Sequence, residues 1–247
     1  MGQCKPLAAW RYIATSAQMC QTLGYHREGA LVPESPQQSR RRKRLVWMIV
    51  IIDKTLSLRL GRASSIRDDD FTLEKLSDNS QDDLSAFSFM ALLSKWVDLS
   101  LLHGQVYDEI FSPRALLQPE GVRVARARAL ASDLQRVFET VGTAESQVLE
   151  LRRQTIGQDM HELFQKADRI NHLATLTLVY RAIPAGPYSN SVFCEECVAT
   201  AAEALNEHQK CLTILKDVEG EVLEMYLQWS VFRSSSSSSM SSECYCG

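Results

Sequence analysis

The sequence predicts an all-α fold, and three observations carry that expectation. Apolar residues recur at spacings of three and four through most of the chain. Nowhere do runs of alternating Val, Ile, Thr and aromatic residues lie between turn signals, as strands would require. Several of the 11 Gly and 7 Pro fall where a periodic segment stops, and so punctuate helices. No signature recurs at the roughly 34- or 40-residue spacing of helical repeats, which disfavours a solenoid.

The first helix is predicted from Leu7, Trp10, Ile13, Ala14, Ala17 and Cys20 to Gln21, with Gly24 as its C-cap. Tyr25 to Ser39 carries Gly29, Pro33 and Pro36 and reads as a loop, with Ser39 as the N-cap of the next helix. That helix opens on the basic run Arg40 to Arg44, continues as the stripe Leu45, Met48, Ile49, Ile52, Leu56 and Leu60, and is closed by Gly61. Asp68 to Asp83 is acidic and lacks periodicity, the mark of a loop. A long helix is expected over Ala86 to Ile110. Pro113 and Pro119 interrupt it, and Val122 to Val141 rebuilds the pattern up to Gly142. Helices are also predicted at Ser146 to Gly157, Leu163 to Ile183, Glu195 to Leu215 and Val222 to Phe232. The serine run from Ser234 onward cannot bury a core, so residues 1–233 are expected as one helical domain and 234–247 as a disordered tail.

Composition excludes several classes. At 45% hydrophobic and 23% charged, the chain is neither collagen-like nor broadly disordered. Lys and Arg total 27 against 30 Asp and Glu, a net charge of -3 that does not announce nucleic-acid binding. The apolar run through Val46–Ile52 falls far short of the about 20 residues that cross a bilayer. Met1 to Pro6 lacks the pattern of a signal peptide, which points to an intracellular protein. Seven cysteines, an odd and sparse set, argue for reduced thiols.

Motifs of catalysis are missing: there is no P-loop, dinucleotide fingerprint, nucleophile elbow or paired-histidine zinc helix. The five histidines are scattered over separate segments and read as core or helix-surface residues. Cys194-Glu195-Glu196-Cys197 has the spacing of half a zinc site, but the other close pair, Cys244 and Cys246, lies in the tail. Buried thiols at a helix start are the better reading, and no metal ligand is assigned. Cations at a helix N-terminus oppose the macrodipole, so Arg40 to Arg44 is expected to pair with the acidic segment after Asp68, ahead of its alternatives as a nuclear-import or phosphate-binding stripe.

Two blocks carry a family resemblance. Trp10-Arg11 through Met19, followed by Leu23-Gly24-Tyr25-His26-Arg27, resembles the first helix and helix end of the fungal-specific transcription factor domain, the middle homology region of binuclear zinc cluster regulators. Arg41-Arg42-Lys43-Arg44-Leu45-Val46-Trp47, then Asp53, Ser57, Gly61-Arg62, Ile66, Asp68 and Asp70, is similar to the family's second block in the same order. More weakly, Leu173 to Arg181 before Pro184 and Cys197 to Ala202 resemble later helices, extending the likeness to about Phe232. Ala63 departs from the proline usual after Gly-Arg. The family's six-cysteine cluster is also missing, since Cys4 and Cys20 are the only cysteines before Cys194.

The resemblance implies a regulatory, nuclear, non-enzymatic domain with no cofactor of its own. Zinc and DNA contact would belong to a cluster module missing from this chain. Implied partners are the transcription machinery or a co-regulator, with a small-molecule effector and no membrane. The chain would be either a piece of such a regulator or a protein acting without its own DNA-binding module. The alternative is a stand-alone helical protein that sequesters partners without binding DNA. From the residues alone, Asp53 sits within an apolar helix and needs a partner. Arg62 is the expected one, so that Asp53→Ala and Arg62→Ala would combine to less than their sum. Gly61 is expected to supply a positive φ. Sustained heptads with flanking charges, which would argue for dimerisation, are not seen.

Overall fold

A computed structural model describes residues 6–29, 35–75, 84–140, 143–186, 191–216, and 222, 223 and 226. Within them the fold is all-α: α1 (Pro6–Thr22), α2 (Pro36–Arg59), α3 (Leu84–Val106), α4 (Pro113–Leu116), α5 (Glu120–Glu139), α6 (Thr143–Ile156), α7 (Gln158–Tyr180) and α8 (Glu195–Leu215). Apart from an isolated bridge between Pro184 and Phe193, the described residues contain no β pairing. The Ser-rich tail and most of the predicted Val222–Phe232 helix lie outside the described residues, as do Cys4, Cys244, Cys246 and Gly142.

Two glycines end helices as their sequence position suggested. Gly24 and Gly61 have φ of 68° and 63°, the left-handed conformation that a side chain disfavours. In α1 the Gly24 and Tyr25 amides donate back to Gln21 and Cys20; in α2 the Gly61 and Arg62 amides donate to Leu58 and Ser57. Both are Schellman closures that satisfy the last carbonyls of the helix.

The start of α2 differs from expectation. Its N-cap is Ser35, not Ser39: the Ser35 hydroxyl accepts from the Gln38 amide at 3.2 Å, and the Gln38 side chain accepts from the Ser35 amide at 2.9 Å. Pro36, with its φ preset and no N–H to satisfy, takes the first helical position. The reciprocal pair outcompetes a lone serine inside the first turn. Farther along, α3 passes into a single π turn at Tyr107–Phe111, and Ser112 then caps α4 by accepting from the Ala115 amide. α7 begins directly after Gly157 (φ 83°) and stops at Tyr180, ahead of Pro184.

The helices form two compact units, residues 1–107 with 141–148, and residues 108–140 with 149–247. In the first, Ala17 and Cys20 of α1, Val46, Trp47, Ile49 and Val50 of α2, and Leu93 and Val97 of α3 share a core with Ile66 and Leu73 from the segment after α2. In the second, α7 packs along α8, with Leu163, Ala167 and Ile170 against Cys211, Leu215 and Tyr226. Phe138 of α5 stacks on His172 of α7 with ring centroids 4.0 Å apart.

Two histidines of the second unit carry a pH dependence. His161 is pushed to a lower pKa by burial and then by Arg152 and Arg153, and His208 is lowered by burial. The Nδ1 atom of His208 lies 2.6 Å from the Tyr226 hydroxyl, whose own pKa burial raises, so the phenol is the donor and the imidazole the acceptor. As pH falls through about 6.5, the unfolded chain takes up these protons before the folded one. Their stabilisation is therefore complete above that pH and declines below it. Urea unfolding of wild type should show falling stability from pH 7.5 to 5.5, and His161→Gln with His208→Gln should flatten that slope.

Candidate functional site

The residues singled out in the sequence converge in the first unit, where the segment 61–75 returns from the end of α2 across α1 and α2. Asp53, fully buried in the middle of α2, anchors it. Its Oδ2 accepts from the Ser64 hydroxyl at 2.5 Å and the Ser65 amide at 2.8 Å, with the Ile66 amide at 3.4 Å. The carboxyl thus gives a half-buried turn the acceptor for its Ser65 amide, while the Ile66 amide also donates to the Ser64 hydroxyl at 3.2 Å.

Arg62 is not the partner of Asp53. The Schellman closure turns Arg62 toward α1, where its guanidinium lies 5.0 Å from the centre of the Trp10 ring. The same indole donates through Nε1 to the Ser57 hydroxyl at 3.2 Å. Trp10, Ser57, Gly61 and Arg62 therefore form one group, joining the start of α1 to the end of α2, and Asp53 belongs to another. Sharing no contact, Asp53→Ala and Arg62→Ala should be additive within about 0.5 kcal/mol in denaturant titrations; a double mutant well short of the sum would restore the direct pairing.

Next to Asp53, Lys54 is 2% exposed and reaches Asp68, with Nζ 2.6 Å from Oδ1. Its stem crosses α3 at Gly104, where a Cβ would sit 2.9 Å from Nζ and 3.3 Å from Cδ. Neither Lys54 nor Gly104 was singled out in the sequence.

The far end of the segment is held at the α1 terminus. The His26 carbonyl accepts from the Thr72 and Leu73 amides, and the buried His26 ring places Nε2 3.3 Å from Asp70. Arg27 also bonds Asp70, and that guanidinium, ahead of other influences, holds the Asp70 carboxyl below its usual range. Trp47 donates from Nε1 to the Glu74 carbonyl at 3.1 Å and meets Phe71 edge-on at 4.8 Å. Leu23 is exposed and Arg44 half-buried, and neither takes part in this clasp.

The basic run is divided by the helix. Arg42 is buried, donates to the Tyr25 carbonyl at 3.1 Å and lies over the Tyr25 ring, whereas Arg40 and Arg41 are exposed. Lys43 is 2.8 Å from Glu28 and 3.8 Å from Glu74, so it reaches the acidic segment as expected. Asp68 and Asp70 go instead to the buried Lys54 and His26, with the exposed Arg27 also on Asp70.

Cys194 caps α8, and both it and Cys197 are buried, their thiols pointing to the Tyr180 and Thr177 carbonyls at 3.5 and 3.7 Å. Burial pushes both thiols up, away from the thiolate that metal binding or redox attack needs. Among the described residues, no group of three or more His, Cys, Asp or Glu is placed to hold a metal ion, and no helix is long and apolar enough to cross a membrane. The polar side chains brought together are spent on one another and on backbone.

This arrangement coincides with a known domain. The model of the fungal specific transcription factor domain matches residues 1–154, well over half of the chain. The chain belongs to that family. The fungal specific transcription factor domain thus covers α1 to α5 and most of α6, including every residue of the clasp; the likeness noted for α7 and α8 lies beyond it.

Three relatives agree. An ABC-transporter-regulating transcription factor of Aspergillus fumigatus is 25% identical over 126 residues, 49% of this chain and 14% of that protein. An uncharacterized transcriptional regulatory protein of Schizosaccharomyces pombe is 29% identical over 118 residues, covering 44% and 15%. Another from the same yeast is 30% identical over 107 residues, covering 42% and 16%. The matches thus span about a seventh of the length of these relatives. No solved structure matches significantly.

Proposed function

We propose that this chain is the regulatory domain of a fungal transcriptional regulator, acting in the nucleus on transcription initiated at DNA sites that a separate zinc cluster module recognises. The observation that carries this reading is the family match over residues 1–154, on the same residues that build the clasp. A domain of this kind works through conformation: it presents or withholds a surface to the transcription machinery, a co-regulator or a small effector, and it needs differential contacts in two states to do so. The clasp suits that role, because a segment held by a few buried polar anchors can be reset as a unit by whatever competes for one of them. The chain's own chemistry requires no cofactor, and zinc belongs to the DNA-reading module.

The test is a fusion of the 247-residue chain to an unrelated DNA-binding domain, with a reporter gene carrying that domain's site. A change of several-fold in transcription relative to the DNA-binding domain alone, in either direction, supports the reading. Equal output at equal protein level and nuclear amount would overturn it.

A further inference from the structure

At the corner where α6 turns into α7, within the second unit, buried basic nitrogens meet no hydrogen-bond partner: Nε and Nη2 of Arg152, and Nδ1 of His161. His161 itself is only 6% exposed. Arg152 reaches from α6 over α7, its guanidinium 5.6 Å from the centre of the Phe164 ring, and Phe164 stands three residues after His161 on the same face of α7. The two basic groups are therefore neighbours. After burial, Arg152 and Arg153 are what push the His161 pKa down. The acids nearby do not offset this: Glu150 is engaged by Arg153 at 2.6 Å, and Asp168 raises the Arg152 pKa less than burial lowers it.

The backbone adds donors at the same corner. Gly157 brings no side chain to cap α7, so the Gln158, Asp159 and Met160 amides, which have no intrahelical acceptor, face outward at the positive end of the helix dipole. A Cβ built on Gly157 would meet nothing within 4 Å, which leaves room beside them. Side chains lean toward the N-terminus of their helix, and this carries His161 over that turn. Buried donors left unmet are costly, and here they converge. Nε and Nη2 form one edge of the guanidinium, a parallel fork that fits two oxygens of a single anion. The neutral imidazole donates from Nδ1 in one of its two tautomers. We propose that this corner is an oxyanion site for a phosphate group, held by the Arg152 fork, His161 Nδ1 and the first amides of α7. A tetrahedral phosphate presents oxygens to all three sets of donors, whereas a carboxylate has two oxygens in one plane. The exposed Asp159 shares the turn and opposes a dianion, so inorganic phosphate alone should bind with a dissociation constant on the order of millimolar.

Nuclear magnetic resonance titration of the ¹⁵N-labelled full chain with inorganic phosphate, at fixed ionic strength set by chloride, tests this directly. Saturable shifts are expected at the Gln158 to His161 amides, His161 Nδ1 and Arg152 Nε. Glycerol phosphate should shift the same signals if the group is taken as a monoester, and free phosphate alone should do so if the ester carbon is excluded; acetate should bind at least about tenfold more weakly than phosphate. Arg152→Lys keeps the charge and loses the fork, and should weaken phosphate at least about tenfold. Arg169→Gln, which removes an exposed arginine paired with Glu203 farther along α7, should leave binding unchanged. Should Arg152→Lys fail to fold, the wild-type shifts and the comparison with acetate still decide. No saturable shift at the corner, acetate binding as tightly as phosphate, or a folded Arg152→Lys binding phosphate like wild type would overturn the proposal. Binding is read on the purified chain, so its outcome is separate from that of the transcription assay.

Discussion

Replacing Asp53 with alanine is expected to destabilise the first unit by about 3 kcal/mol, through the loss of two charge-assisted hydrogen bonds at about 1.5 to 3 kcal/mol each. The loss leaves the half-buried Ser65 amide without its acceptor, at a cost of about 1 to 3 kcal/mol if unmet, whereas the Ser64 hydroxyl and the Ile66 amide keep each other and the Ile66 carbonyl as partners. Asparagine should be far milder, at about 1 kcal/mol. It keeps one acceptor oxygen, and the accepting load falls on Oδ2, while Oδ1 is buried without a partner. Urea titrations of the two variants decide the matter. Equal losses for Ala and Asn would mean that the hydrogen bonds to the 64–66 turn are not what Asp53 supplies.

The second large effect is at Lys54. Lys54→Ala removes an ion pair between a buried ammonium and the exposed Asp68, and the volume of a long stem packed against α3, and should cost about 3 kcal/mol. Lys54→Met keeps the stem and drops only the ammonium, so about 1 kcal/mol or less is expected. Gly104 provides the crossed test. In wild type, Gly104→Ala forces the Nζ and Cδ atoms of a buried side chain to shift, at about 1 to 2 kcal/mol net of the gain in helix propensity. In the Lys54→Ala background the same methyl enters vacated volume and should be neutral or stabilising. Thermal melts of the four proteins in this cycle would expose the coupling; additive changes would show that the crossing is looser than 2.9 Å implies.

Much of this architecture was legible because helix periodicity and glycine punctuation are local. Gly24 and Gly61 stop their helices for a reason that needs no tertiary context, a left-handed backbone after the last turn. Ser35 was equally local: Ser-Pro-Gln-Gln places a serine, a first-turn proline and a glutamine three residues on, the reciprocal cap that Ser39 cannot make. Arg62 misled because nearness in sequence suggested nearness to Asp53, whereas the closure of α2 sends it to Trp10. Lys54 was hidden because lysine is almost always exposed, and nothing at one position reveals that Asp68 returns to meet it. A signal did exist in Gly104, a glycine in the last turn of a long helix that runs on into the π turn, where packing of another group is a usual cause.

The family motif thus resolves into structure: His26, Arg27, Trp47, Asp53, Arg62, Asp68 and Asp70 fasten one segment to α1 and α2. That distribution supports the proposal that DNA recognition lies with another module, which is the central claim. Its most direct test is selection from a pool of random duplexes by the purified 247-residue chain at physiological salt, followed by sequencing of what is retained. The account predicts no enriched sequence over the input pool. Enrichment of a defined site, competed by that site and not by a scrambled duplex, would contradict it.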